Sequence, residues 1–343
     1  MKRVGNIFDW MCSEEVLKEA ILNASKGKTK YGTVKNIVDN VDKYAKRLSK
    51  ILLEGTFKPS PYTTEIIMSE GKQRLIKKLP FYPDRCVQHA MALAMLPKWD
   101  KVIGDDTFAS WKGRGINAKD GKYSFVKRMK RYINSHHLDR ELYCLKFDIR
   151  KCYQSVDNDI LDRVNERYCK DRRLLDLMRV INHGDDERGL AIGNYISQLW
   201  INVYLADMDR FIKQELGCKQ YVRYMDDCAL LSESKEELHE WEHRIMNWLW
   251  YERGMELNGK RQVFPIGRHR GQRAIDMCGY CFYRTFTLLR KRIKQNIKRK
   301  LGNPKSMASY KGMLIACDSV NLVRSFNDED IPGIGNREDK QAV

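Results

Sequence analysis

Apolar residues recur at helical spacing through the first part of the chain, and polar residues occupy the positions between them. Ser13–Ser25 follows this pattern, with Ser13 as the predicted N-cap, and a second helix is predicted over Val38–Leu53. Gly55–Pro59 ends the pattern, because glycine and proline interrupt regular structure. Residues 1–60 are therefore predicted to form an N-terminal helical extension.

Farther along, short runs rich in β-branched and aromatic residues alternate with longer helical patterns. A pair of strands is predicted at 62–67 and 74–79, followed by a helix at 85–96. The next predicted strands are 142–148, 221–224 and 228–231, and the helices between and after them are 157–165, 191–213 and 235–252. This alternation predicts an α+β fold.

The most informative chemistry in the chain is the pair Asp226-Asp227, which lies between two predicted strands and so at the turn of a β-hairpin. Alone, such a pair is more typical of a solvated turn. Asp148, however, ends another predicted strand and supplies a third carboxylate. Three carboxylates favour a two-metal site that holds Mg²⁺, with Mn²⁺ as the alternative ion. Asp148 and Asp226 would bridge both ions, with Asp227 and the Ile149 carbonyl as further ligands.

The segment Phe147-Asp148 with Tyr153, followed by Tyr224-Met225-Asp226-Asp227, resembles motifs A and C of reverse transcriptases. Further segments resemble other blocks of that family in the same order, namely residues 72–91, 108–118, 189–198, 258–262 and 277–282. The resemblance covers roughly residues 40 to 325 and implies an RNA-directed DNA polymerase with two metal ions.

The resemblance also implies a right-hand polymerase architecture with fingers, a palm of antiparallel sheet packed on helices, and a helical thumb. The expected boundaries are 61–140 for the fingers, 141–283 for the palm, and 284–343 for the thumb and C-terminal tail. The N-terminal extension over residues 1–60 precedes them. At 343 residues the chain exceeds one average domain, which suits this division.

The resemblance assigns roles to individual residues. The catalytic residues would be Asp148, Asp226 and Asp227. The nucleotide-binding residues would be Lys72, Arg74, Arg85, Tyr153, Ile192, Gly193, Gln198 and Lys260, although Gln198 has an equally good interpretation as a structural residue of a packed helix. The residues that contact nucleic acid would be Lys112, Arg114, Tyr224, Met225, Gly279, Arg290, Arg292, Lys294 and Lys298. The Tyr153 ring is expected under the sugar, where it would clash with a ribose 2′-hydroxyl and select deoxynucleotides.

Ile192 and Ser197-Gln198 indicate the class of reverse transcriptase. Many reverse transcriptases have glutamine before the glycine of this motif and Ser-Pro after it. The pattern here resembles the enzymes of diversity-generating retroelements, which copy a template-repeat RNA with errors at adenines. An aliphatic side chain beside the nascent base pair offers no hydrogen bonds, and apolar shape alone discriminates only about 10- to 200-fold. The thumb segment Ser309–Leu322 also resembles that class.

Trp111–Asn117 departs from the retroelement pattern. A reverse transcriptase of an antiphage defence system or a retron is therefore kept as an alternative. A second alternative, from a different class, is a non-catalytic RNA-binding scaffold with a polymerase fold. Intact acidic residues argue against it, because a chain without catalysis is free to lose them.

The formal net charge is +18, from 63 Lys and Arg against 45 Asp and Glu, which indicates a phosphate-rich partner. The sequence Arg290–Lys300 predicts a basic helix with a narrow apolar seam, and a second basic cluster lies over Lys112–Arg131. Within that cluster Phe125, Met129 and Tyr132 have the spacing of an ordinary apolar helix face.

The ten scattered cysteines fit a reducing compartment, and one C-x-x-C pair without partners does not favour zinc. With neither a membrane-length apolar run nor a signal-peptide core, the protein is expected to be cytoplasmic. The partners implied by the resemblance are template RNA, the RNA/cDNA duplex, deoxynucleotide triphosphates and a small basic accessory variability protein that forms a ring-shaped oligomer.

Overall fold

The structure is a computed structural model that describes residues 2–69, 72–183 and 188–325, without the side chains of Ser69, Lys72 and Arg74. Its strands are β1 (Thr63–Ser69), β2 (Lys72–Lys78), β3 (Tyr143–Asp148), β4 (Tyr221–Tyr224), β5 (Asp227–Ser232), β6 (Gln262–Pro265), β7 (Ile275–Met277), β8 (Tyr280–Phe282) and β9 (Thr287–Leu289). Its first helices are α1 (Phe8–Met11), α2 (Glu14–Ser25), α3 (Gly32–Asp39), α4 (Val41–Leu53), α5 (Cys86–Trp99) and α6 (Phe125–Asn134). The later helices are α7 (Asn158–Tyr168), α8 (Arg172–His183), α9 (Tyr195–Arg210), α10 (Lys235–Arg253), α11 (Lys291–Arg299), α12 (Pro304–Ile315) and α13 (Val320–Val323).

Two of the N-terminal helices, α2 and α4, form in the regions where the apolar spacing predicts them, although α4 begins at Val41 rather than at Val38. Ser13 caps α2, because its side-chain oxygen accepts a hydrogen bond from the Val16 amide. Helix α2 packs against α4 and α5. Leu17, Ala20 and Ile21 of α2 are fully buried in these contacts, so burial of one helix face holds this part of the fold together.

Four antiparallel strands form the principal sheet in the order β4-β5-β3-β6. Helix α6 covers this sheet with a strongly amphipathic face, in which Phe125, Val126, Met129 and Ile133 are buried. The interpretation of Phe125 and Met129 as an ordinary apolar helix face is therefore confirmed. An antiparallel sheet packed on a helix is the expected α+β arrangement, and that fold class is confirmed.

A second, three-stranded sheet in the order β7-β8-β9 leads into the C-terminal helices. Tyr280 and Phe282 of β8 belong to the same hydrophobic core as Ile297 of α11 and Leu314 of α12. The Tyr280 hydroxyl donates to the Met313 carbonyl at 3.2 Å. The predicted basic helix over 290–300 is therefore α11, and its apolar seam is used for packing.

The described residues fall into two compact units. The first unit contains the residues up to Gly104, together with Arg150–Arg210 and Asn247–Glu256. The second contains Asp105–Ile149, Phe211–Met246 and the residues from Leu257 onward. The division into an extension, fingers, palm and thumb stays a prediction. Among the described helices, none has the length and hydropathy needed to cross a membrane.

Candidate active site

The acidic pair lies at the turn of the predicted hairpin in the second unit. Strands β4 and β5 pair antiparallel with Tyr224 opposite Asp227, so Met225 and Asp226 form the turn. Met225 has a φ of +59°, a left-handed conformation that a tight turn of this kind requires. The turn therefore holds two consecutive carboxylates at one end of the sheet.

Asp148 lies beside this turn because β3 pairs with β5. The register of the two strands sets Asp148 opposite Asp227, and both side chains are partly buried. Residues directly opposite each other in antiparallel strands have Cβ atoms about 4.5–5.5 Å apart. The fold thus brings together two acidic residues that are distant in sequence, with Asp226 next to them.

The surroundings of Asp227 alter its ionisation. Burial raises the pKa of Asp227, and the negative charge of Asp148 adds to that rise, whereas Lys146 and Arg290 oppose it. The Lys146 ammonium lies 3.6 Å from an Asp227 oxygen. Sequence reasoning did not single out Lys146, although its position two residues before Asp148 on a strand places it on the same face.

Asn258 holds Asp148 by both its backbone and its side chain. The Asn258 amide donates to the Asp148 carbonyl at 2.8 Å, and the Asn258 side-chain amide donates to the Asp148 carboxylate at 3.0 Å. The Lys260 amide in turn donates to the Asn258 side-chain oxygen at 3.3 Å, while the Lys260 side chain is exposed. Sequence reasoning selected Lys260 in this segment and missed Asn258, although Asn-Gly was a signal for a structured turn.

A buried arginine shapes the acidic turn. Arg223 is fully buried in β4, and its guanidinium donates to the Met225 carbonyl at 3.0 Å. It also donates to the Thr107 hydroxyl at 3.4 Å. The sequence does contain a signal for this role, namely a cation in the middle of an otherwise apolar strand. Arginine is rarely buried unless hydrogen-bond partners compensate its charge. Sequence reasoning did not use this signal.

The donor chemistry of this centre fits a divalent cation. Carboxylate oxygens are the ligands that Mg²⁺ prefers, and a bound cation would offset the burial and the Asp148 charge that together raise the pKa of Asp227. As the side chains stand, no three His, Cys, Asp or Glu residues of the described part form a group that could hold a metal ion. Asp148 and Asp227 engage Asn258 and Lys146 instead.

Several predicted nucleotide-binding residues lie together in the first unit. The Ile192 carbonyl accepts a hydrogen bond from the Lys77 amide of β2 at 3.0 Å. Gly193 follows with a φ of +114°, and a Cβ at this position would lie 2.8 Å from the Lys77 carbonyl oxygen. Asn194 donates to the Tyr62 hydroxyl at 2.8 Å. The segment is thus fixed against the β1–β2 hairpin, and a glycine is needed for its close approach.

Tyr153 belongs to the same unit, where its carbonyl accepts a hydrogen bond from the Leu190 amide at 2.7 Å. Its side chain is partly buried, and Gln198 on α9 is exposed. Arg85 is the N-cap residue of α5 and donates to the Leu79 carbonyl at 3.4 Å. Lys72 and Arg74 belong to β2, and their side chains lie outside the described part of the structure.

The residues predicted to contact nucleic acid differ in exposure. Lys112 is exposed, whereas Arg114 stacks on the Tyr123 ring with its guanidinium carbon 5.0 Å from the centroid. Tyr224 packs edge-on against Phe125 at a centroid distance of 6.2 Å. In the basic cluster over Lys112–Arg131, Arg128 is not exposed, because it is buried in an ion pair with Asp106.

Gly279 lies between β7 and β8 with a φ of +86°, and a Cβ there would come within 2.5 Å of Ile293 in α11. Arg290 precedes α11 and pairs with Asp276 at 2.6 Å, so its charge is already compensated. Arg292 and Lys298 are exposed, and Lys294 is partly exposed. These three cations, unlike Arg290, keep their charge open to solvent.

The chain is similar to known proteins over much of its length. Residues 57–280 match the family model described as reverse transcriptase (RNA-dependent DNA polymerase). The group II intron-encoded protein LtrA of Lactococcus lactis subsp. cremoris is 21% identical over 204 residues, which cover 56% of this chain and 32% of that protein. Protein YkfC of Escherichia coli (strain K12) is 24% identical over 173 residues, which cover 48% of this chain and 44% of that protein. The chain thus spans less than half of either relative.

A solved structure supports the fold. Apo telomerase from Candida tropicalis superposes with a TM-score of 0.51 at 11% identity, over 78% of this chain and 56% of that one. At this identity the likeness concerns the fold alone. The family match spans more than half of the chain and includes the acidic hairpin, Asp148 and the Ile192–Gly193 segment. This chain therefore belongs to the reverse transcriptase family.

Proposed function

We propose that this protein is an RNA-directed DNA polymerase that makes error-prone, adenine-mutagenic cDNA from a template-repeat RNA. Asp148, Asp226 and Asp227 are its proposed catalytic residues. The observation that carries the proposal is the strand register that sets Asp148 opposite Asp227, directly beside Asp226 at the hairpin turn. Nucleotide transfer needs several carboxylates close together, because they hold the divalent cations that offset the charge of the substrate phosphates.

Asp148, Asp226, Asp227 and the Ile149 carbonyl are the groups that would hold two Mg²⁺ ions, with Mn²⁺ as a substitute. When bound, such ions activate the primer 3′-hydroxyl and stabilise the leaving pyrophosphate. Asn258 orients the Asp148 carboxylate through a 3.0 Å hydrogen bond. Lys146 keeps a positive charge beside Asp227, which favours the ionised carboxylate that ligation requires.

Residues of the first unit are proposed to select the incoming nucleotide. Tyr153 is the proposed barrier to a ribose 2′-hydroxyl, and Lys72, Arg74 and Arg85 are proposed to contact the triphosphate and the template. Ile192 is partly buried, and its backbone is bound to β2. This rigid attachment supports a role for Ile192 at the nascent base pair, because a fixed apolar wall selects by shape and offers no hydrogen bonds.

The proposed partners are the template RNA, the RNA/cDNA duplex, deoxynucleotide triphosphates and a small basic accessory protein oligomer. The net charge of +18 supports the nucleic-acid partners. A cytoplasmic location stays a prediction.

Primer extension on a defined RNA containing all four bases, with Mg²⁺ and four deoxynucleotides, tests the activity. The wild-type protein should extend the primer, and the double variant Asp226→Ala/Asp227→Ala should lose extension by about 10³-fold or more, because both ligands for the ions are gone. A matched double variant, Glu14→Ala/Glu15→Ala in the first turn of α2, removes the same charge from another consecutive acidic pair and should keep activity. Unchanged extension by the Asp226/Asp227 variant would refute the assignment of the site.

Sequencing of the cDNA tests the retroelement class. Misincorporation should be concentrated opposite adenines, and Ile192→Gln should reduce it by restoring a hydrogen-bonding side chain, whereas Ile192→Leu should not. Uniformly accurate cDNA from the wild-type protein would favour a defence or retron enzyme. Tight RNA binding without any extension, in the presence and absence of accessory proteins, would favour the non-catalytic scaffold.

A further inference from the structure

A cavity of about 730 Å³ in the first unit is lined mainly by cations. Its basic side chains come from separate parts of the sequence and surround a buried tyrosine. We call this feature the basic cavity, and the residues that define it are Arg3, Lys101, Arg163, Arg167, Arg210 and Tyr168. None of them belongs to the residues assigned above to catalysis or nucleotide binding.

The basic cavity lies at the C-terminal ends of three helices. Arg167 is in the last turn of α7, Arg210 ends α9, and Lys101 follows the end of α5. Arg3 joins them because Val4 pairs with the chain just after α7, where its amide donates to the Tyr168 carbonyl at 2.8 Å. Three helix ends and the N-terminal segment therefore converge on one site.

The predicted nucleotide-binding residues of the same unit lie at the opposite helix ends. Tyr153 precedes α7, and Gly193 precedes α9. Helix α9 has 16 residues, so its two ends are about 24 Å apart. The basic cavity is consequently a separate site and not an extension of the nucleotide pocket.

The positive charge in the cavity exceeds its compensation. Asp207 accepts hydrogen bonds from both Arg167 and Arg210, and it also accepts one from the buried Arg253 at 2.5 Å. Glu166, the acidic residue that lines the cavity, pairs with Arg179. Within the described ranges, no carboxylate pairs with Arg3, Lys101 or Arg163. The exposed side chains of these three residues thus leave excess positive charge at the cavity.

Helix dipoles explain only part of this charge. Cations in the last turn stabilise the negative end of a helix, and Arg167 and Arg210 meet that need for α7 and α9. Arg163 lies in the middle of α7, and Arg3 lies outside any helix. These residues require another explanation, and an anionic ligand provides one.

We propose that the basic cavity binds the phosphate backbone of an RNA strand at a position separate from the nucleotide-binding residues of the first unit. Arginine forks match phosphate oxygens, and a set of exposed cations is typical of sequence-independent backbone contacts. A site for a free nucleotide would also need polar groups that orient base and ribose. Five of the eight lining residues are arginine or lysine, and the other two polar ones are engaged within the protein, Glu166 with Arg179 and Tyr168 with Arg210. The proposal rests on the proposed function, because the RNA would be a part of the template RNA outside the copied stretch.

The test uses the triple variant Arg3→Glu/Lys101→Glu/Arg163→Glu, which spares the arginines that hold Asp207. Affinity for a long single-stranded RNA is measured by fluorescence anisotropy over a range of salt concentrations. We expect a loss on the order of 10- to 100-fold at 0.1 M salt, and a log–log salt slope shallower by about 2, for three lost phosphate contacts. The exposed positions should leave the thermal unfolding midpoint unchanged.

A matched variant, Lys43→Glu/Lys46→Glu/Arg47→Glu on the exposed face of α4, makes the same change in net charge. An equal loss of RNA affinity in both triple variants would mean that only net charge matters and would overturn the proposal. Unchanged RNA affinity in the cavity variant would overturn it as well. A different outcome is that the cavity variant loses saturable binding of ATP that the wild-type protein and the α4 variant keep, with its RNA affinity unchanged. That result would show that the ligand of the cavity is a free nucleotide and not RNA.

Extension of a short primer–template duplex separates this proposal from the proposed function. The cavity variant should extend that duplex at the wild-type rate, because the cavity is separate from the nucleotide-binding residues of its own unit. Failure of the wild-type protein to extend it would refute the proposed polymerase activity, whereas long-RNA affinity would still report on the cavity by itself.

Discussion

Asn258 controls how Asp148 is presented, since it is bound to both the carbonyl and the carboxylate of that residue. A group that orients a metal ligand commonly contributes 10- to 100-fold to metal affinity or activity. The sequence contains many asparagines, and only the fold distinguishes this one. Asn258 is therefore a positioning residue whose importance exceeds what its residue type suggests.

Asn258→Ala should lower kcat for nucleotide addition by about 10- to 100-fold and raise the Mg²⁺ concentration needed for half-maximal activity. The backbone hydrogen bond to Asp148 remains, so the protein should stay folded. Steady-state primer extension over a Mg²⁺ titration measures both effects. The exposed Asn134→Ala serves as the control. A fall in activity without any change in Mg²⁺ dependence would indicate a structural role only.

The charged Asp227 carboxylate lowers the stability of the native protein, and this effect should depend on pH. Burial and Asp148 raise the pKa of Asp227 above its value in the unfolded chain, about 3.9. The native state therefore prefers the protonated form, so this residue favours folding below that pH and opposes folding as pH rises. At neutral pH the charged carboxylate destabilises the native protein.

Asp227→Asn should raise the thermal unfolding midpoint at pH about 7 by no more than about 2 °C, since solvent screens a partly exposed group. The difference from the wild-type protein should vanish near pH about 3.5, where the wild-type carboxyl is protonated. Calorimetry at both pH values measures it, with the exposed Asp139→Asn as a control. A lower midpoint at neutral pH would mean that the Lys146 ion pair outweighs burial.

At the scale of elements, apolar periodicity alone does not predict where helix α9 begins. Its apolar pattern predicts a helix over 191–213, but the regular helix runs over Tyr195–Arg210. Gly193 adopts a φ of +114°, which no helix residue has, and Ile192 bonds to β2 instead of to a helical turn. A tertiary contact with the β1–β2 hairpin therefore overrides the local pattern.

Gly193→Ala should disrupt this contact, because a Cβ would approach the Lys77 carbonyl oxygen to 2.8 Å and the φ is strained for alanine. We expect a destabilisation of about 1–3 kcal/mol and a higher KM for deoxynucleotides. Chemical denaturation and steady-state kinetics measure the two effects. Gly302→Ala, where nothing lies within 4 Å of the added Cβ, should be nearly neutral. Equal effects of both substitutions would exclude a specific role for the Gly193 contact.

At the scale of the whole molecule, only part of the positive charge behind the net value of +18 is available to bind nucleic acid. Arg290, which is predicted to contact nucleic acid, is paired with Asp276, and Arg128 of the second basic cluster is paired with Asp106. Others remain exposed, including Arg292 and Lys298 on α11. Only the second kind can release counterions when nucleic acid binds, so composition overstates the number of available contacts.

The triple variant Arg292→Glu/Lys294→Glu/Lys298→Glu should shorten the cDNA made in one binding event without changing addition of the first nucleotide. The reason is that α11 would lose its backbone contacts to the duplex while the acidic centre stays intact. Extension with a heparin trap measures product length, and the α4 variant described above is the control. Normal product lengths would show that α11 does not contact the duplex.

The sequence by itself determined the local elements of this protein and the chemistry of its acidic residues. The cap at Ser13, the hairpin around Asp226-Asp227, the strand that ends at Asp148 and the amphipathic α6 all follow from side-chain periodicity and turn chemistry. These features depend on neighbours in the chain, so a single sequence contains them. The family also followed from sequence, through the order of its motifs.

Apart from the meeting of Asp148 with Asp226 and Asp227, which the sequence already predicted, only the tertiary structure decided which distant residues contact one another. The register between β3 and β5, the attachment of Asn258 to Asp148, and the burial of Arg223 depend on strand pairing across long separations. The basic cavity likewise arises where three helix ends and the N-terminal segment converge. No local pattern encodes such meetings, because their energy comes from burial and pairing between segments that are far apart in the chain.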